Sequence, residues 1–167
     1  MDMTDPAKWL EEFNRIMKEN DNLYRNAAKT LGLTDCTFWI LYALREENSV
    51  LTQSEICNLM YQPKQTVNSA LKKMELEGYI ALRSHNNRRS KQIHLTNKGI
   101  ALAEKTVDKM ISVEQDALSD LSDSERKIFI SLFQKYTNLL KSRIQTLNDS
   151  GQREVMSSSI PGETQQK

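Results

Sequence analysis

The chain has 167 residues, 38% of them hydrophobic, with five glycines, three prolines and a net charge of +1. That length supports one domain with a real core, and the scarcity of glycine and proline favours long helices with short loops over a sandwich or a barrel. With no apolar run near the ~18 residues of a membrane span, no leader-like start, and only Cys36 and Cys57 as cysteines, a soluble protein of the reducing cytoplasm without membrane contact is expected.

In chain order, Asp5 and Pro6 suit a helix start and Gly32 a left-handed stop. Between them Trp9, Leu10, Phe13, Ile16, Met17, Leu23, Tyr24, Ala27, Ala28 and Leu31 recur every three to four residues, so the spacing predicts one long amphipathic helix. Thr34 caps a second helix, with Phe38, Ile40, Leu41 and Leu44 inward. Thr52-Gln53-Ser54-Glu55 is a capping box, in which the Thr52 hydroxyl and the Glu55 carboxylate each satisfy an orphan amide. It opens a short helix containing Ile56 and Leu59. After Tyr61-Gln62-Pro63 a further helix runs from Lys64 to Glu77 and stops at Gly78. Its inner stripe is Val67, Ala70, Leu71 and Met74, which leaves Gln65, Asn68, Ser69, Lys72 and Lys73 outside.

The period then changes from about 3.6 to 2. Tyr79–Ser84 and Lys91–Thr96 read as short strands, the second with Ile93 and Leu95 inward and Gln92 and His94 outward. They flank the polar, basic turn His85-Asn86-Asn87-Arg88-Arg89-Ser90. A helix is expected from about Thr96 to about Leu118. A second capping box, Ser122-Asp123-Ser124-Glu125, opens a last helix carrying Ile128, Phe129, Leu132, Phe133, Tyr136, Leu139, Leu140, Ile144 and Leu147. Residues 148–167, rich in serine and glutamine and without periodicity, read as a disordered tail.

The charge is unevenly spread. Between Tyr61 and Lys98 stand Lys64, Lys72, Lys73, Arg83, Arg88, Arg89, Lys91 and Lys98 against only Glu75 and Glu77. This stretch therefore carries +6 and the remainder of the chain −5. A capped short helix, a tight turn, a polar-faced helix, a glycine stop and a basic hairpin follow one another in the order of a winged helix-turn-helix. Amides, hydroxyls and lysines on an exposed helix can reach base edges and phosphates in the major groove. Arginines at a hairpin tip can lie on the backbone or enter a narrow minor groove. Double-stranded DNA is the expected partner, with Ser54, Lys64, Gln65, Thr66, Asn68, Ser69, Lys72, Lys73, Arg83, Arg88, Arg89 and Lys91 as the contact residues.

Thr66-Val67-(x)3-Leu71-(x)2-Met74-Glu75-(x)2-Gly78-Tyr79-Ile80 resembles the recognition helix and first wing strand of the MarR family of transcription regulators. Arg83–Ser90 resembles that family's wing tip, and Leu95-Thr96-Asn97-Lys98-Gly99 its strand-to-helix exit. The resemblance covers roughly Asp5 to Leu147. It implies a mainly α fold with a small β-hairpin wing (α+β), a winged helix-turn-helix core flanked by long dimerisation helices. Residues 5–33 would form an N-terminal dimerisation helix, 34–99 the DNA-binding lobe and 100–147 the C-terminal dimerisation helices. It further implies a homodimer, a repressor in the reading adopted here, on a pseudo-palindromic operator with half-sites about one turn apart, on the order of 34 Å. The wing departs from the family pattern, with Asn87 at a usual aspartate and His85 at a common proline. Arg89 matches the arginine that enters the minor groove, which leaves Arg88 for phosphate.

Many members of that family bind small aromatic or phenolic effectors, and Trp9, Phe13, Tyr24, Phe38, Trp39 and Tyr42 are the candidates for such a pocket; core packing is the competing reading of the same stripe. Cys36 lies near a helix start, where the dipole can lower a thiol pKa. A redox-sensing regulator is therefore an alternative, although relatives that sense peroxide carry their cysteine in the first helix, and a packed thiol explains Cys36 as well. The second alternative is a winged-helix protein-contact module without specific DNA binding. No glycine-rich phosphate loop, nucleophile elbow, His–carboxylate pair or metal motif occurs, so no catalysis, cofactor or metal is expected.

Overall fold

The computed structural model describes residues 5–46, 50–60, 63–84 and 91–158, with side chains described as far as residue 149. Its elements are α1 (Pro6–Thr30), α2 (Asp35–Glu46), α3 (Gln53–Leu59), α4 (Lys64–Leu76), β1 (Ile80–Arg83), β2 (Gln92–Leu95), α5 (Asn97–Lys105), α6 (Val107–Ser119) and α7 (Asp123–Ser158). The chain divides into two units, Met1–Gln115 and Asp116–Lys167.

In the first unit the caps read from the sequence set the helix starts. Asp5 accepts from the Ala7 amide and Pro6 opens α1. Thr34 accepts from Thr37 at the start of α2. At α3 the Glu55 amide donates to Thr52 Oγ1 at 3.2 Å while the Thr52 amide donates to Glu55 at 2.7 Å. The stops are equally local. Past α4, Gly78 takes φ +76°, which lets the Gly78 and Tyr79 amides donate back to Glu75 and Met74 at 3.0 and 2.9 Å, a closure that glycine adopts at little cost.

The core of this unit is one cluster drawn from every element: Ala28 of α1, Phe38, Ile40 and Leu41 of α2, Ile56 and Cys57 of α3, Val67, Leu71 and Met74 of α4, Ile80, Ile93, and Ala103 and Val107 beyond the hairpin. Each fully buried large side chain contributes about 1.5–3 kcal/mol, so the three α4 residues alone fix which face of that helix is turned to the core. The strands pair antiparallel, Ile80 with Leu95 and Leu82 with Ile93.

Three features depart from the sequence reading. Leu51–Gln53 adds a third, very short pairing to β2: the Ile93 amide donates to Leu51 O at 2.8 Å and the Gln53 amide to Lys91 O at 3.0 Å. The single helix expected from Thr96 to Leu118 is two. Buried Thr106 turns its hydroxyl onto Leu102 O at 2.7 Å and leaves helical dihedrals at φ −125°, ψ −91°, the local side-chain competition that breaks or bends helices. The tail expected from residue 148 is helical as far as Ser158. Extending an existing helix fixes one residue per hydrogen bond, so Asn148–Gly151 does not act as the stop that its composition suggests. Residues 159–167 lie outside the described residues.

The second unit is dominated by α7, whose start carries the second capping box: the Ser122 amide donates to Glu125 at 2.8 Å and the Glu125 amide to Ser122 Oγ at 3.3 Å. Arg126 donates to the carbonyls of Leu118, Ser119 and Leu121, closing the end of α6, and pairs with Asp123. Along α7 the residues Ile128, Phe129, Leu132, Phe133, Tyr136, Leu139, Leu140, Ile144 and Leu147 are 38–70% exposed in the single chain. On α1 the same holds for Trp9, Leu10, Ile16 and Leu23 at 51–61%. No helix among the described residues is long and apolar enough to cross a membrane.

Candidate nucleic-acid interface

The outer face of α4 is built by subtraction. Val67, Leu71 and Met74 take one side of the helix into the core, and the 3.6-residue repeat then forces Lys64, Gln65, Thr66, Asn68, Ser69, Lys72 and Lys73 outward, where all seven are exposed. The preceding helix α3 packs on α4 and presents Ser54 on its exposed side. Arg83 ends β1 and Lys91 precedes β2, both exposed and both at the end of the strands that leads into residues 85–90. Arg88 and Arg89, with the rest of His85–Ser90, lie outside the described residues.

Not every side chain on this face has its polar groups spare. Ser69 Oγ donates to Gln65 O at 2.8 Å, so its proton is engaged within α4. Cys57 Sγ lies 3.9 Å from Asn68 Oδ1, a weak contact that turns the amide oxygen towards α3. Lys73 stands 3.9 Å from Glu77, an exposed i,i+4 pair of little energetic weight. Lys98 donates to Glu77 O at 2.8 Å and lies 4.6 Å over the Tyr79 ring, so it caps α4 from the next segment.

Of the six aromatic candidates for an effector pocket, four meet. Tyr24 and Trp39 have ring centroids 5.1 Å apart, Trp39 and Tyr42 5.4 Å, and Phe38 lies 5.2 Å from Trp39 and 6.1 Å from Tyr42. Phe38 is fully buried and belongs to the core, whereas the other three are half-buried. Trp9 and Phe13 lie further back on α1, about 22 and 16 Å from Tyr24 along the helix axis at 1.5 Å per residue, so one wall cannot carry all six.

The sequence reading missed the acceptor that two of the four share. Glu114 of α6 accepts the Tyr42 hydroxyl at 2.5 Å and also that of Tyr24. Six residues earlier on α6, Asp108 accepts from Arg45 Nη2 at 2.6 Å and Nε at 2.8 Å. The signal available in the sequence was indirect: a tyrosine within an apolar stripe needs a partner for its hydroxyl. Burial first, then the bond to Glu114 and its charge, push both phenols well above their ordinary value. A raised folded-state value means that this contribution is present below the ordinary phenol pKa near 10 and is lost as the pH climbs through the raised one. Of the five tyrosines, Tyr24 and Tyr42 are therefore expected to stay protonated near pH 10 and to ionise as the fold gives way. Ultraviolet titration against the Tyr24→Phe and Tyr42→Phe variants checks this, and full phenolate formation by all tyrosines near pH 10 in the folded chain would contradict it.

Cys36 behaves otherwise than its place at a helix start suggests. Burial, then the charge of Asp35 and the nearby Cys57, push its thiol up rather than down, which disfavours the thiolate needed for peroxide chemistry. Cys57 is buried. Among the described residues no group of three His, Cys, Asp or Glu side chains is arranged to hold a metal.

The MarR family profile matches residues 31–90, from the end of α1 to the wing. Over those residues the chain resembles the MarR family. It is 29% identical over 105 residues to YwoH of Bacillus subtilis, described as an HTH-type transcriptional regulator, covering 63% of this chain and 76% of that one. Its fold is similar to that of NMB1585, a MarR-family regulator from Neisseria meningitidis, at TM-score 0.70 and 21% identity, over 85% of this chain and 98% of that one. A MepR–DNA complex of S. aureus is similar at TM-score 0.58 and 25% identity, over 79% and 97% of the two chains. The MarR profile thus spans α4 and β1, the two elements that set the exposed polar face.

Proposed function

We propose that this chain is a MarR-family transcription regulator that binds double-stranded DNA as a homodimer and represses from a pseudo-palindromic operator. The observation that carries the reading is the α4 face, seven polar or basic side chains exposed on a helix whose opposite side is locked into the core. Gln65, Thr66, Asn68 and Ser69 meet base edges, while Lys64, Lys72, Lys73, Arg83, Lys91 and Ser54 meet phosphates. Arg88 and Arg89 extend the contact from the wing. The DNA-bound MepR neighbour supports this use of the fold. Association of two copies accounts for the exposed apolar side chains of α1 and α7, which a soluble monomer rarely leaves uncovered on this scale.

The aromatic site at Tyr24, Trp39 and Tyr42 is proposed as the seat of a small aromatic effector. Among the described residues Glu114 has no cationic partner, so a neutral or cationic ring is favoured there over a phenolate.

A mobility shift with the DNA upstream of the chain's own coding sequence, run across a salt series, tests these statements together. Specific binding should weaken steeply with salt, and Arg89→Ala should lower affinity and reduce the slope of log K against log salt by about one. An aromatic effector should release the complex in wild type and fail to do so in Trp39→Ala. Absence of any shift would instead support the protein-contact module. That alternative lacks an apolar outer face on α4: Leu76, 89% exposed at its last position, is the exception there.

A further inference from the structure

Eight basic side chains lie between Tyr61 and Lys98, and among those described Lys98 is turned inward to a backbone carbonyl. Lys98 Nζ donates to the carbonyl of Glu77, the residue that caps the C-terminal end of α4, and sits over the face of the Tyr79 ring. Its neighbours grip the same place. Thr96 Oγ1 donates to Gly78 O at 2.6 Å and the Thr96 amide donates to Tyr79 O at 3.0 Å. Gly99 allows α5 to approach so closely that a Cβ there would stand 1.9 Å from Tyr79 O. Three consecutive carbonyls at the end of α4 are thus held by one segment, and a cation at a helix C-terminus is the favourable sign for the helix dipole.

The apolar stripe Val67, Leu71 and Met74 decides which way α4 faces, but apolar contacts are non-directional. The carbonyl contacts at its end are directional, and they fix its position along its own axis. We propose that Lys98 is a positioning residue. Through Glu77 O it sets where Gln65, Thr66, Asn68 and Ser69 stand along the groove, and it does not itself contact phosphate. This rests on the DNA-reading role given to α4 above.

The test uses the full chain and a duplex enriched by the wild-type protein from a random-sequence pool, with a scrambled duplex of equal length as the non-specific probe. Lys98→Met keeps the apolar stem over Tyr79 and removes the donor; Lys98→Arg keeps a donor. Lys98→Met should lower affinity for the enriched duplex by about tenfold, the scale of one lost charge-assisted hydrogen bond. Its salt slope and its affinity for the scrambled duplex should stay unchanged, and Lys98→Arg should restore most of the loss. A slope smaller by about one in Lys98→Met would make Lys98 a phosphate contact and overturn the proposal. So would an unchanged affinity, or a loss equal on both duplexes accompanied by a lower Tm. A wild-type chain that enriches no sequence would remove the DNA-reading role and this inference with it, a result distinct from any of the variant outcomes.

Discussion

Gly99→Ala is expected to destabilise the chain by about 3 kcal/mol, at the upper end of what overpacking costs, which corresponds to a Tm lower by roughly 6–12 °C for a chain of this size. Two effects oppose each other. Gly99 is the third residue of α5, and on helix propensity alone alanine would be better by about 0.8–1 kcal/mol. Against that, the new methyl would stand 1.9 Å from Tyr79 O and 3.1 Å from the Leu95 side chain. The first obstacle is backbone already fixed by the Thr96 amide and hydroxyl, so it cannot give way without moving the end of α4. The clash outweighs the propensity. Thermal unfolding of Gly99→Ala beside wild type decides the matter, and a Tm equal to or above that of wild type would show that α5 does not press on the α4 terminus.

Replacing Gln65 and Asn68 together by alanine is expected to cut the ratio of specific to non-specific DNA affinity by about a hundredfold or more, since each good base contact carries about 1–3 kcal/mol of discrimination. Both residues are exposed, and neither belongs to the Val67, Leu71, Met74 stripe, so stability should change little. Alanine is also the better helix former. The lysines proposed to meet phosphate are untouched, and binding to a scrambled duplex should keep its affinity and its salt slope. Equal losses on matched and scrambled duplexes would contradict base reading by α4, as would no loss at all.

How much of this was legible from the residues depended on the range of the interaction. The caps at Asp5, Thr34, Thr52 and Ser122, and the stop at Gly78, involve partners two to five residues away, so the sequence displays both members of each contact. The buried stripe of α4 follows from periodicity, and its exposed face follows from the stripe. What the sequence did not display was long-range or depended on packing. Glu114 meets tyrosines 90 and 72 residues away, and nothing near it marks it as their acceptor. The pairing of Leu51–Gln53 with β2 is too short to leave an alternating pattern. Thr106 is compatible with a helix until its hydroxyl finds Leu102 O. Cys36 shows the same limit in electrostatics: the helix start argues for a low pKa, while burial and Asp35 argue for a high one, and these prevail.

In the function proposed above, two copies of the chain read double-stranded DNA through α4. Selection from a pool of random-sequence duplexes, followed by sequencing of the retained fraction, tests it most directly. The expected result is enrichment of a two-fold symmetric sequence whose half-sites are centred about 10–10.5 base pairs apart, one helical turn, and loss of that enrichment in the Gln65→Ala/Asn68→Ala variant. Retention of DNA without enrichment of any sequence, or enrichment that survives in that variant, would contradict it.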